Sequence, residues 1–90
     1  MATPEFYYVY VLLSLLDKKF YIGSSSNLVK RFSSHHNGLV RATKNRRPLK
    51  LIFYEAYRDK YDAIRREDYF KTTKGKKTLR IMLKEYFDKM

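Results

Sequence analysis

The sequence predicts an α+β domain: a three-stranded antiparallel sheet covered by helices, in the order β-β-α-β-α-α. Two aromatic runs near the N-terminus, Tyr7 to Val11 and Phe20 to Gly23, are short and rich in the residue types that strands favour. Apolar residues then recur at helical spacing in three later stretches, and a further apolar run, Leu49 to Tyr57, separates the first of these from the second. Three strands cannot close on themselves, so the helices must supply the cover.

Met1 to Glu5 reads as a loose start to one domain of residues 1–90. In residues 6–13, Tyr8, Tyr10 and Leu12 fall on one face, and Tyr7, Val9, Val11 and Leu13 on the other. Both sets are apolar or aromatic, which predicts cover on both sides of this strand. Ser14 to Lys19 holds the turn, with Asp17-Lys18-Lys19 as its polar tip, and Phe20 to Gly23 returns as the second arm of a hairpin. Tyr10 and Tyr21 share a face if the register sets them opposite or two residues apart. Ser24, Ser25 and Ser26 are candidate caps for a helix running to about Asn37, with Leu28 and Phe32 as its apolar stripe, continued by Leu39, and Asn37-Gly38 as its stop. Arg31 and His35 are one turn apart and project from one side of that helix.

Val40 to Arg47 is a basic loop closed by Pro48, after which the third strand, Leu49 to Tyr57, begins. Asp59 is the expected cap of a helix from about Lys60 to Thr72. Its inward stripe is Ala63, Ile64, Glu67 and Phe70, so a glutamate sits among apolar neighbours. Lys74-Gly75-Lys76 is expected to break this helix before a last one, whose stripe is Leu79, Met82, Leu83 and Tyr86.

Composition narrows the partners. The chain has 90 residues, 20 basic against 9 acidic, and a net charge of +11. No acid occurs between Asp17 and Glu55, nor between Lys71 and Arg80. Such fields attract polyanions, with nucleic acid the leading candidate; a soluble surface with excess lysine is the plainer account of the same charge. The absence of cysteine excludes disulfides and thiolate metal sites, and suits a cytoplasmic protein. The longest apolar stretch, Phe6 to Leu16, is too short to span a bilayer, and Glu5 rather than a basic segment precedes it, so no membrane role is expected.

Hydrolysing a phosphodiester needs a deprotonated water, positive charge on the phosphoryl oxygens and help for the leaving oxygen. A tyrosine takes the water's proton only if nearby cations pull its pKa down. One carboxylate suffices to hold Mg²⁺, which keeps several waters and also uses substrate phosphate.

Tyr8-Val9-Tyr10, Tyr21-Ile22-Gly23, the segment Asn27 to Phe32 with Arg31 eight residues past Gly23, His35, the basic loop with its following strand, and Ala63 to Glu67 occur in that order. Together they resemble the GIY-YIG nuclease superfamily, in particular small members similar to the N-terminal domain of the C component of excinuclease ABC, over nearly the whole chain. The resemblance implies a DNA endonuclease, with a link to DNA repair, that uses one divalent ion, Mg²⁺ or Mn²⁺. It implies Tyr10 as general base or orienter of the attacking water, and Tyr21 as a phosphate-positioning group. Arg31 would stabilise charge at phosphorus, His35 would hold Tyr10 poised or relay its proton, and Glu67 would ligate the metal. Lys30, Arg41, Lys44, Arg46, Arg47, Lys74, Lys76 and Lys77 are the expected phosphate contacts. Relatives often carry a separate targeting domain, so an unidentified targeting protein is a further expected partner.

Each residue also has a plainer reading. Tyr10 and Tyr21 are acceptable amphipathic strand residues, Arg31 one of many surface cations, and His35 a helix residue beside His36. Glu67 is able to pair with Lys71 one turn on. Tyr8 stands where the family has glycine, and no asparagine follows Asn45 where many relatives have one near the C-terminus. The alternative function is therefore a catalytically weak or inactive nucleic-acid-binding module of the same fold.

Overall fold

Strand alternation in the first half of the chain and helical spacing in the second build two layers around one sheet. The computed structural model describes residues 3–90. Of the expected loose start, residues 1 and 2 lie outside the described residues, while Thr3, Pro4 and Glu5 are exposed and belong to no strand or helix. Strand β1 (Tyr7–Ser14) lies in the middle of an antiparallel sheet of order β2-β1-β3, between β2 (Phe20–Ser25) and β3 (Leu49–Tyr57). Helix α1 (Leu28–His36) follows the hairpin; α2 (Lys60–Lys71), α3 (Thr73–Met82) and the short α4 (Lys84–Asp88) follow β3. The order β-β-α-β-α-α is present, with the last helical segment bent into two at Leu83. No helix among the described residues is long and apolar enough to cross a membrane.

The two faces of β1 behave as their residues require. Val9 and Val11 pack with Ile22, Ala63, Phe70 and Leu79, which puts α2 and α3 on that side. Tyr10 and Leu12 pack with Leu49, Tyr21, Leu28 and Phe32, which puts α1 on the other. A bulge in the β1–β3 pairing, between Val11 and Leu12, lets adjacent Ile52 and Phe53 both serve the first cluster while Leu51 serves the second.

Five local expectations need correction. Strand β2 runs on to Ser25, because Ser24 and Ser25 still pair with Val9 and Tyr8. The α1 cap is consequently Asn27, whose side chain accepts from Lys30 N at 3.0 Å, and none of the three serines. Leu39 does not continue the α1 stripe but is 76 % exposed, since Gly38, at φ 76°, turns the chain away. Gly75 does not break a helix: it is buried inside α3, where a β-carbon would overlap the Tyr69 carbonyl. The break falls instead at Thr72, whose hydroxyl donates to Tyr69 O at 2.6 Å and accepts from Gly75 N at 2.9 Å. Met82 is exposed as well, because α3 meets the core through Leu79.

Candidate active site

The β1–β2 register pairs Tyr10 with Gly23 and Leu12 with Tyr21, so the two tyrosines are diagonal neighbours on the α1 face. Their ring centroids are 6.5 Å apart. Packing of Leu28 and Phe32 against this face turns the same side of α1 inward, and with it Arg31 and His35. The ring of His35 is wholly buried, stands edge-on to Tyr21 at 5.0 Å between centroids, and puts Nε2 2.9 Å from Tyr10 Oη. Arg31 Nε donates to the same phenolic oxygen at 3.3 Å. On the far side of the imidazole, Nδ1 lies 2.8 Å from the hydroxyl of Thr43, also fully buried. Glycine at position 23 makes room for this arrangement, because a β-carbon there would sit 2.5 Å from Tyr10 Oη.

The electrostatics follow from burial beside a cation. Burial is the main reason the Tyr10 phenol is pushed above its ordinary pKa; the hydrogen bond and charge of Arg31 work against that, and the charges of Tyr21 and Glu67 reinforce it. His35 is lowered to about 4, first by burial and then by the Arg31 charge, so its ring is neutral near pH 7. Arg31 is raised, above all by its bond to Tyr10, and stays cationic.

Glu67 reaches the site from the other layer. Its side chain is 15 % exposed; one carboxylate oxygen accepts from Ser24 Oγ at 2.6 Å and the other pairs with Lys71 Nζ at 2.8 Å. Ser24 follows Gly23 on the edge strand β2, so the glutamate comes in at this edge from the α2 side. The structure therefore brings Tyr10, Tyr21, Arg31 and His35 into one contact group on one face of β2. It places Glu67 beside the next residue of that strand, near enough for its charge to act on Tyr10 but not touching it. The pairing of Glu67 with Lys71, the plainer reading of this acid, is also present.

Of the expected phosphate contacts, Lys30, Arg41, Lys44, Lys74, Lys76 and Lys77 are exposed, and none is in an ion pair among the described residues. Lys44 and Arg47 line a groove with His36 and Asn45; Lys76 lines another with Lys19 and Arg80. Arg46 differs. Its guanidinium pairs with Asp17 at 2.7 Å and donates to the carbonyls of Lys19 and Phe20, which fastens the loop to the hairpin turn. That pairing holds the Asp17 carboxyl far below the usual carboxylate range and leaves Arg46 no free charge to offer.

Two functional candidates carry little signature in the sequence. Thr43 is visible there only as a polar residue in a basic loop, and Ser24 only as a possible cap. The signal for Ser24 is its place in phase with Phe20 and Ile22, the α2-facing positions of β2.

The donor set discriminates among metal ions. No group of three or more His, Cys, Asp or Glu able to hold an ion exists among the described residues. A cation needing an all-protein cage does not fit. A hard ion that keeps its waters and takes one carboxylate plus substrate oxygens does fit Glu67, if Lys71 gives up its oxygen. Lys71 is half-exposed and free to do so.

A strand-borne tyrosine pair, an arginine and histidine one turn apart, and a carboxylate across the edge strand define a recognisable class. The family model described as the GIY-YIG catalytic domain matches residues 6–80. The chain belongs to the GIY-YIG family, a nuclease superfamily whose substrate is nucleic acid. Among relatives, it is 40 % identical over 72 residues to a UPF0213 protein of Limosilactobacillus reuteri, covering 77 % of this chain and 74 % of that one. It is likewise 40 % identical over 82 residues to the UPF0213 protein YazA of Bacillus subtilis, covering 89 % and 80 %. A third, UPF0213 protein SSP2268 of Staphylococcus saprophyticus, is 32 % identical over 77 residues, covering 84 % and 93 %.

Proposed function

We propose that this protein is a divalent-metal-dependent DNA endonuclease with Tyr10 as its general base. The observation that carries the reading is the buried contact of Tyr10 Oη with His35 and Arg31, one strand residue away from the Glu67 carboxylate. Tyr10 orients the attacking water or takes its proton, the latter only once bound cations offset the burial that holds the phenol above its ordinary pKa in the free protein. Arg31, fixed by its bond to Tyr10, faces the charge that develops at phosphorus. Tyr21 positions the phosphate, and Glu67 holds the ion. When bound, a divalent ion supplies Lewis acidity toward the phosphoryl and leaving oxygens. Attack by the water oxygen breaks the bond from phosphorus to the leaving oxygen, which is then protonated. The exposed cations, Arg46 excepted, bind flanking phosphates without reading sequence. Preference for DNA, a role in repair and a targeting partner are the remaining parts of this reading, supported by the family resemblance, and a cytoplasmic location is the part suited by the absence of cysteine.

Purified protein incubated with branched, nicked and duplex DNA, with and without Mn²⁺, tests it. Nicking is expected only with the ion, and Glu67→Ala is expected to lower it by about 10²-fold or more while the circular dichroism spectrum stays native. Undiminished nicking by that variant removes Glu67 from the mechanism.

One observation favours a second reading, a binding module of the same fold: both oxygens of Glu67 are already engaged, by Ser24 and by Lys71. That reading expects salt-sensitive binding of nucleic acid, no nicking, and no effect of Glu67→Ala on affinity.

A further inference from the structure

Three polar groups stand in a row from the basic loop to the candidate site: Thr43 Oγ1, the His35 ring and Tyr10 Oη, with links of 2.8 Å and 2.9 Å. A neutral imidazole carries one N–H and one bare nitrogen, so the row has two possible directions. With Tyr10 neutral it holds three protons for two links, and one proton is left over at an end. If Tyr10 donates inward, the left-over proton is that of the Thr43 hydroxyl. That hydroxyl is fully buried, and among the described residues it has no partner besides His35. An unpaired buried donor is costly. If Thr43 donates outward to Nδ1, then Nε2–H donates to Tyr10 Oη. The left-over proton is the phenol's own, at the end nearest the β2 edge. Once Tyr10 ionises, two protons serve two links and nothing is left over, while Arg31 Nε adds a second donor to the same oxygen.

We propose that Thr43 is a positioning residue that fixes His35 as the Nε2–H tautomer, so that His35 steadies the Tyr10 phenolate by donating to it and does not collect its proton. The proposal rests on the reading of Tyr10 as general base. It separates two roles that the motif alone leaves open for His35, holding the phenol or relaying its proton, and gives the decision to a residue outside the motif. The proton affinities agree with the geometry. Moving a proton from a phenol raised above its ordinary value to an imidazole lowered to about 4 is steeply uphill.

Nitrogen-15 NMR of the protein tests this directly. The chain has two histidines, and His36→Gln leaves His35 as the only imidazole signal. At neutral pH the expected spectrum has Nε2 protonated and Nδ1 bare. Thr43→Val should mix the tautomers and slow nicking about fivefold, the rate equivalent of one missing hydrogen bond. Thr43→Ser, which keeps the hydroxyl, should restore both. A protonated Nδ1 in the native protein overturns the proposal, and so does a Thr43→Val variant whose tautomer is unchanged. The spectrum needs neither nucleic acid nor metal. A native protein that never nicks therefore defeats the nuclease reading, while the spectrum alone still decides what Thr43 does.

Discussion

His35 keeps its ring wholly inside the protein, and that has a consequence for stability. In the unfolded chain the imidazole takes a proton near pH 6.5; in the folded protein it resists until about pH 4. Between those values the unfolded state binds more protons, so the contribution of buried neutral His35 is complete above pH 6.5 and is lost as pH falls toward 4. The melting temperature should drop across this window, and a non-titrating variant, His35→Asn, should flatten that part of the profile. Tyr10, Tyr21, Arg31 and His35 are legible in the sequence through the ordered motif they resemble, with strand alternation and a one-turn spacing making a common face possible. Thr43 and Ser24 are not. Their partners lie 8 and 43 residues away, and only the packing of α1 and α2 on opposite sides of the sheet brings them within reach.

Secondary structure is legible where period and punctuation agree. Strand β3 and the Asp59 cap fall where alternation and capping chemistry put them, and Asp59 accepts from Tyr61 N at 2.8 Å. Gly75 misleads because glycine inside a helical pattern has two meanings, a stop or a close approach, and only the tight turn at Thr72, which folds the start of α3 against the end of α2, separates them. The packing gives a test. Gly75→Ala forces a methyl group against the Tyr69 carbonyl and should destabilise the fold by about 1–3 kcal/mol, read as a lower urea midpoint. A harmless substitution there would mean that the turn at Thr72 is able to open without cost.

Charge acts over the whole molecule. The first acid-free stretch lines a groove beside the end of α1, and both stretches meet in a second groove beside the hairpin turn, so cations are offered on more than one side. Affinity for DNA should fall steeply with salt, with a slope near −0.9 per phosphate neutralised. Replacing Lys44 and Arg47 by glutamine should reduce that slope by roughly 0.9 for each phosphate no longer neutralised, in a fluorescence-anisotropy titration. Arg46→Gln should instead lower the melting temperature and leave the slope nearly unchanged, because its charge is already spent on Asp17.

The loop that carries these cations is pinned twice, by Thr43 to α1 and by Arg46 to the turn, and its own amides are tied to Val40 and Thr43 carbonyls. It is a bracket rather than a flap. If this rim binds phosphates as proposed, its shape is already set before contact, and association there should carry little of the freezing penalty that weakens the grip of floppy basic arms.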